Sequence, residues 1–592
     1  MKLNRCGRAQ NVLALLRDCI WIPLAIAVFV PSVTSAQITG TVIDSSNSTP
    51  VAGALVTRQG EGTQVTTAGD GSFVLNVSGP SMVIVAAKKG YFNSSVAVTP
   101  PATGLQIIID PVPSWDDSGY SIAGPSNCGS CHSIRLDEWQ DTPMALGGTN
   151  TWVYDIYSGN GTSGGLGGFV YTRDSVYADS NPNSECASCH QPQYWIENPY
   201  AALNPDIGSS DPGVMHGISC DICHKIEDVD TTKINYPGIY PGAVTFNRPE
   251  PGQQVLYGAL ADVSFEALPM MRASYQPQLA AEVCAVCHQD ANDPEEDHSY
   301  SGVISEPTYL EWLASPYSNS GSPSFASCVD CHMPQALTNQ VCTVIPPPDR
   351  DPARVRSHDI YGTTPEYLDN AVELEMTATQ VGANLRVSVS INNSLTGHHV
   401  PTGVTVRNMI LLVEAWEDGN DPLTDSLVHL GSQVVHDLGG IGDPAQGYFA
   451  GLPGKFFAKV NHDANGNGPT FFTDATGIQF DNRIPAMVTD STVYDFRLPI
   501  EDATIHVRAR LIYRRAFRFL VDAKGWTEDG HGNPLEDVMA PDFGHLMESS
   551  EEMLTTIGGL GAAIPVTSNL GRTAFVFLLA GAAWLVFRRR VG

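Results

Sequence analysis

Cys128-Gly-Ser-Cys131-His132, Cys186-Ala-Ser-Cys189-His190, Cys220-Asp-Ile-Cys223-His224, Cys284-Ala-Val-Cys287-His288 and Cys328-Val-Asp-Cys331-His332 repeat one five-residue pattern. C-x-x-C-H is the attachment signature of c-type haem. Two thiols three residues apart fall on one side of a helical turn, where both reach the vinyl groups of one porphyrin. The histidine that follows lies under the iron as its proximal ligand. Five copies in the 205 residues from Cys128 to His332 exclude coincidence. Zinc ribbons use C-x-x-C pairs without requiring the histidine, and disulfides do not impose the spacing. The expected cofactors are therefore five covalently bound haem c groups, each bringing one iron. Cys128, Cys131, Cys186, Cys189, Cys220, Cys223, Cys284, Cys287, Cys328 and Cys331 would attach them. His132, His190, His224, His288 and His332 would ligate the irons.

Of the 13 cysteines, Cys6 and Cys19 fall in an N-terminal leader and only Cys342 is left over, as a free or buried thiol. An iron that only carries electrons takes a sixth ligand, usually His or Met. Sixteen histidines less five proximal ones leave eleven. His216, four residues before Cys220, is too close to cap its own haem and would cap a neighbour. His358 lies just past the last motif. His398, with His399 as understudy, sits in a turn rich in Gly and Pro. His298 follows the fourth motif in an acidic loop. Met144 would ligate haem one and raise its potential; otherwise it packs, or haem one stays open to a small ligand. His429, His436, His462, His506, His531 and His545 read as structural.

A formal net charge of −31 over 592 residues disfavours nucleic acid as a partner. Lys2, Arg5, Arg8 and Arg17, the apolar run Ile20–Val30 and Thr34-Ser35-Ala36 read as a signal peptide over 1–36. At the other end, the apolar run Thr573–Phe587 precedes Arg588-Arg589-Arg590. This predicts a transmembrane helix or sorting tail over 564–592 with its basic end in the cytoplasm. The tail beginning Ile564-Pro565-Val566-Thr567 resembles bacterial sorting tails that begin Ile-Pro-Thr-Leu.

The expected fold is multidomain. Residues 37–111 alternate apolar and polar side chains and form a small antiparallel β-sandwich. Gly40-Thr41-Val42, Pro50–Val56, Asp70-Gly71-Ser72-Phe73 and Lys89-Gly90-Tyr91 resemble the carboxypeptidase regulatory-like domain, which implies a non-catalytic spacer. Residues 112–355 form a haem-packed, mostly irregular and helical pentahaem domain. About 40 residues per haem cannot wall off each porphyrin, so the macrocycles must pack on one another. Residues 356–555 alternate again, as in Leu385–Ile391 and Thr504–Leu511, and predict an immunoglobulin-like β-sandwich. Asp463-Ala-Asn465-Gly-Asn467-Gly468 with Asp474 mimics a calcium loop, but an Asn-Gly turn explains it as well.

The region from about 120 to 520 resembles the multihaem c-type cytochromes related to the tetrahaem electron carrier of nitrifying bacteria. The likeness rests on Glu138-Trp139 after the first motif, Gly217–Lys225, Tyr309–Tyr317, Gly397–Gly403 and Asp481–Pro485. The resemblance implies His where this chain has Met144. It also implies an electron carrier rather than a catalyst. The alternative is an oxidoreductase acting on a small nitrogen or sulfur compound at an open haem one. Expected partners are redox proteins or a membrane electron pool, the membrane itself through the C-terminal helix, and other copies through haem-to-haem contact. The expected location is exported, periplasmic or cell-surface, and anchored.

Overall fold

Ile38 and Val42 lie on one face of the strand Ala36–Asp44, and both are buried in the core of the first β unit. The structure is a computed structural model that describes residues 36–264, 272–344 and 350–558. Ala36–Asp44 is the centre of a three-stranded sheet, antiparallel to Ser72–Val77 and parallel to Ala102–Ile109. A second sheet has the order Gln64–Thr66, Leu55–Arg58, Met82–Ala87, Ser94–Val98, all antiparallel. Val56 and Ile84 of this sheet share one core with Leu75 and Ile107 of the other. The parallel pair departs from an all-antiparallel sandwich. The chain leaves the first sheet, builds the second, and returns beside its own start; a hairpin could not make that connection. The turn at Gly71 needs glycine, because its φ is +73° and a Cβ there would meet Pro50 Cβ at 2.7 Å.

The middle region carries single-turn helices at Cys186–His190, Cys220–His224 and Cys328–His332, and a longer one at Glu282–His288. The first motif differs: Cys128 lies on Pro125–Gly129, and His132 stands at the N-terminus of Ser133–Trp139. Small two-stranded sheets sit among them: Ile226–Val229 with Val244–Phe246, Val255–Gly258 with Arg272–Tyr275, and Asp290–Ala291 with Ile304–Glu306. The region is thus not only irregular and helical. The first β unit docks here through Phe92, Val112, Val255 and Tyr257.

In the last region Glu373–Val381, Asn384–Asn392 and Thr489–Arg497 form a three-stranded antiparallel sheet. Gly454–Phe457, Asn408–Glu417, Ala503–Arg514 and His545–Thr556 form a four-stranded one. Alternation puts Met409, Leu411 and Val413 into the core between the sheets, with Val387 and Ile505. Ile410 and Leu412 point the other way, into a second core with Phe449, Phe456 and Phe517. That two-sided burial explains the unbroken apolar run. Lys459–His462 and Gly477–Asp481 add a small sheet.

The expected fold class needs correction at its end. Among the described residues no helix is long and apolar enough to cross a membrane, and 564–592 lies outside the described residues, as does most of the 1–36 leader. What the fold contains is small mixed sheets and few, short helices.

The last region is bolted to the middle one. The Trp526 ring stacks on Trp152 at 4.0 Å, and Trp526 Nε1 donates to the buried Asp155 carboxylate at 2.7 Å. The fully enclosed Lys524 donates to the Asp155 and Gly165 carbonyls at 2.8 and 2.6 Å. Burial pushes the Lys524 ammonium from its ordinary 10.5 down to about 8. Between those values the unfolded chain holds a proton that the folded chain has lost, so this group's contribution to stability rises with pH across that window. Lys524→Met removes the titration. We expect urea midpoints of the wild type to climb relative to the variant from about pH 8 to 10.5; equal pH slopes would count against this.

Candidate functional site

A C-x-x-C-H turn needs its histidine ring held in one orientation, and this chain does so with backbone carbonyls drawn from elsewhere. Nδ1 of His132 donates to the Val341 carbonyl, that of His224 to Tyr257 and that of His332 to Tyr361, each at 2.6 Å. The His190 ring lies beside the Gly147 backbone. Nδ1 of His288 stands 3.4 Å from the Glu306 carboxylate. A ring whose Nδ1–H is committed to an acceptor keeps its electron pair on Nε2.

The turns touch one another through their thiols. Cys128 lies beside Cys220, Cys189 beside Cys287 and Cys284 beside Cys328. Cys223 lies within electrostatic reach of Cys287. Motif one therefore abuts three, and three faces four. Motifs two and five both abut four.

Two further histidines stand opposite motif histidines. The His358 ring lies 6.3 Å from that of His224, with 25° between the planes. His398 lies 6.2 Å from His332 at 12°. His358 is positioned by the helix after motif one: its N–H donates to Glu138 at 2.9 Å, and Arg135 binds both Glu138 and the Arg356 carbonyl. Its Nδ1 is buried without a hydrogen-bond partner. Burial, with His224 alongside, pushes His358 down to about 3; burial and His398 push His332 down to about 4. Both rings are neutral at physiological pH and keep a lone pair.

His398 comes from the β-rich last region. Its loop is gripped by Glu311, whose carboxylate accepts from His399 N at 3.1 Å and Thr402 Oγ1 at 2.7 Å and pairs with Arg483 at 2.6 Å. Asn393 Nδ2 donates to the His398 and Ile484 carbonyls, each at 2.8 Å. A side chain at Gly397 would crowd Trp312 at 3.1 Å and Tyr317 at 3.2 Å. The three sequence phrases Tyr309–Tyr317, Gly397–Gly403 and Asp481–Pro485 thus meet at one place.

The remaining candidates lie elsewhere. The His216 ring packs beside Trp139 at 6.2 Å; among the described residues no motif histidine faces it at the spacing of the two pairs above. His298 is largely exposed, with Nδ1 2.9 Å from Tyr240 Oη. Met144 is half-buried, and its carbonyl accepts from Ile218 N at 3.0 Å, on the segment leading into motif three. Cys342 is a half-buried thiol next to Thr343, whose N–H donates to the Cys131 carbonyl at 2.7 Å. Asp463 closes a turn on the Asn465 and Asn467 amides, while Asp474 bonds Ser175 at 2.5 Å. Among the described residues no cluster of His, Cys, Asp and Glu is built to hold a bare metal ion. Glu311, Glu306 and Arg483 are positioning residues that sequence reasoning missed. Arg483 sat in a quoted phrase, but nothing in the chain pattern pairs it with Glu311.

No protein-family model matches the chain, and no curated protein matches it. Among solved structures, the crystal structure of a penta-heme cytochrome c552 from Thermochromatium tepidum is similar. Its TM-score is 0.50 at 18% sequence identity, and the match covers 73% of this chain and 99% of that one. The likeness is one of fold.

Glu311 and Arg483 are both nearly enclosed, with side-chain exposures of 5% and 4%. Removing one member of such a pair strands the other. Glu311→Ala should lower unfolding stability by about 3–5 kcal/mol and speed hydrogen exchange of the His399 amide. Unchanged exchange there would mean the loop is held by other means.

Proposed function

We propose that this chain is an exported multihaem c-type cytochrome that carries five covalent haems and relays electrons to an extracytoplasmic redox partner. The observation that carries this reading is the spacing of the two histidine pairs. Metal–imidazole bonds are about 2 Å long, so two rings bound end-on to one iron have centroids about 6 Å apart. His224 with His358, at 6.3 Å, and His332 with His398, at 6.2 Å, fit that requirement. At such a distance two rings gain little from direct contact. The committed Nδ1–H groups of His224 and His332 support it, since both rings are left with Nε2 as the nitrogen free to ligate.

On this reading the ten motif cysteines hold the porphyrins and the five motif histidines are proximal ligands. His358 is the distal ligand in motif three and His398 the distal ligand in motif five. Haem, when bound, supplies reversible one-electron exchange at its iron. The protein's part is to fix the rings, exclude water and hold neighbours close. The approaches of motif one to three, two to four and four to five, joined by that of Cys223 in motif three to Cys287 in motif four, support a connected path with motif four as its junction. The fold likeness to a penta-heme cytochrome supports the same assignment. The acidic surface implied by the net charge of −31 favours a partner with a basic docking face.

The test is to mature the protein in a host that attaches c-type haem. The mass of the denatured chain should show five retained haems. His358→Ala and His398→Ala should each turn one haem high-spin and open it to carbon monoxide, whereas His298→Ala should change no axial ligand. His358→Met should keep six-coordination and raise one potential. A matured chain without covalent haem, or His358 and His398 variants with unaltered spectra, would overturn the reading.

A further inference from the structure

A third histidine carries the same mark as His358. His531 lies on the turn Asp529–Asn533, where Asp529 Oδ1 accepts from His531 N at 2.9 Å and Asn533 N at 3.0 Å. The turn presses onto the middle region. Thr151 N donates to the Gly530 carbonyl at 3.0 Å, and a side chain at Gly530 would strike Asn150. His531 Nε2 stands 3.2 Å from the Asn150 amide. Asn150 cannot swing away, because its Oδ1 caps the helix Thr151–Tyr157 through Trp152 N and Val153 N. The ring is therefore fixed from two sides.

What the ring is fixed for is the question. Its Nδ1 is buried and has no hydrogen-bond partner. An orphaned buried polar atom is costly and requires an explanation. The neighbourhood offers one: His190, the motif-two histidine, lies within electrostatic reach of His531. One short turn serves both rings. Gly147 lies beside His190, and Asn150, immediately after the turn Gly147–Thr149, orients His531. His358 combines the same two features, a buried ring nitrogen without a partner and a motif histidine nearby. There the two rings stand at ligand spacing, whereas His531 and His190 are linked by electrostatic reach and make no ring contact that close.

We propose that His531 is the axial ligand opposite His190 in motif two, presented by the last β-rich region as His398 is presented in motif five. This rests on the haem reading above. It makes the Asp529–Asn533 turn a lid over motif two, and it makes motif two a closed electron-transfer centre rather than one open to a small substrate.

The test uses the full chain with its haems attached. His531→Ala should convert about one fifth of the haem signal from low-spin to high-spin in electron paramagnetic resonance and admit carbon monoxide on reduction. His531→Gly with added imidazole should restore the low-spin signal, which a merely structural role would not do. His358→Ala combined with His531→Ala should open about two fifths, because the two residues serve different irons. Should His531→Ala fold poorly, His531→Met keeps a ligand of similar reach, and one haem should acquire the methionine–iron charge-transfer band. Fully haem-loaded His531 variants with the wild-type spectrum overturn the proposal while leaving the haem reading intact. Absence of covalent haem in the wild type overturns the haem reading instead.

Discussion

Three backbone carbonyls, those of Val341, Tyr257 and Tyr361, fix three motif histidines, and each is remote from its ring in the chain. Val341 is 209 residues from His132. A single-turn helix cannot orient its own terminal imidazole; the chain must come back to do it. This constraint shapes the middle region. The strand Val255–Gly258, which ends in the sheet with Arg272–Tyr275, delivers the Tyr257 carbonyl. The segment after motif five delivers Val341 to motif one and Tyr361 to motif five, and carries His358 back to motif three. Short, irregular segments suit this task better than long helices, because each needs to meet a ring at one point and then leave.

The β-rich last region is part of the site rather than a passive brace. It supplies His398 through a loop clamped by Glu311 of the middle region and Arg483 of its own. Its second attachment, Trp526 and Lys524 on Asp155, positions the turn that carries His531. Both seams are buried and polar. Such seams are expensive to leave half-made, so the two regions dock in one register or not at all. That precision is what the proposed ligation demands of residues that stand far along the chain from the motifs they face.

Much of this was legible in the chain. The five motifs mark the centre, and His358 and His398 stand out by their position near the last motif and in a turn rich in Gly and Pro. Alternation located the β strands, including Leu385–Ile391. Other features were invisible for physical reasons. Nothing local distinguishes His531 from a surface histidine; its meaning comes from Asn150, 381 residues away. His216 is close enough in the chain to motif three to reach a neighbour, and the fold sets its ring beside Trp139, on the helix that follows motif one. Local spacing gives a residue's reach but not the direction in which the fold turns it. The first sheet's parallel pair likewise depends on where the chain returns, not on any pattern within a strand.

Motif four differs from the others in the partner its histidine is given. His132, His224 and His332 bond neutral carbonyls, but His288 faces Glu306. Burial works to raise that carboxyl, yet His288 and Arg407 outweigh it and hold it below the usual range, so it is ionised. An ionised acceptor draws the Nδ1 proton more strongly than a carbonyl and makes the imidazole a better donor at Nε2. Under the proposed reading, this favours the oxidised iron at the junction where motifs two, three and five meet. A junction held at lower potential than its neighbours passes electrons on and does not store them. Glu306 is thus the feature that would set the proposed junction apart from its neighbours without changing any haem ligand.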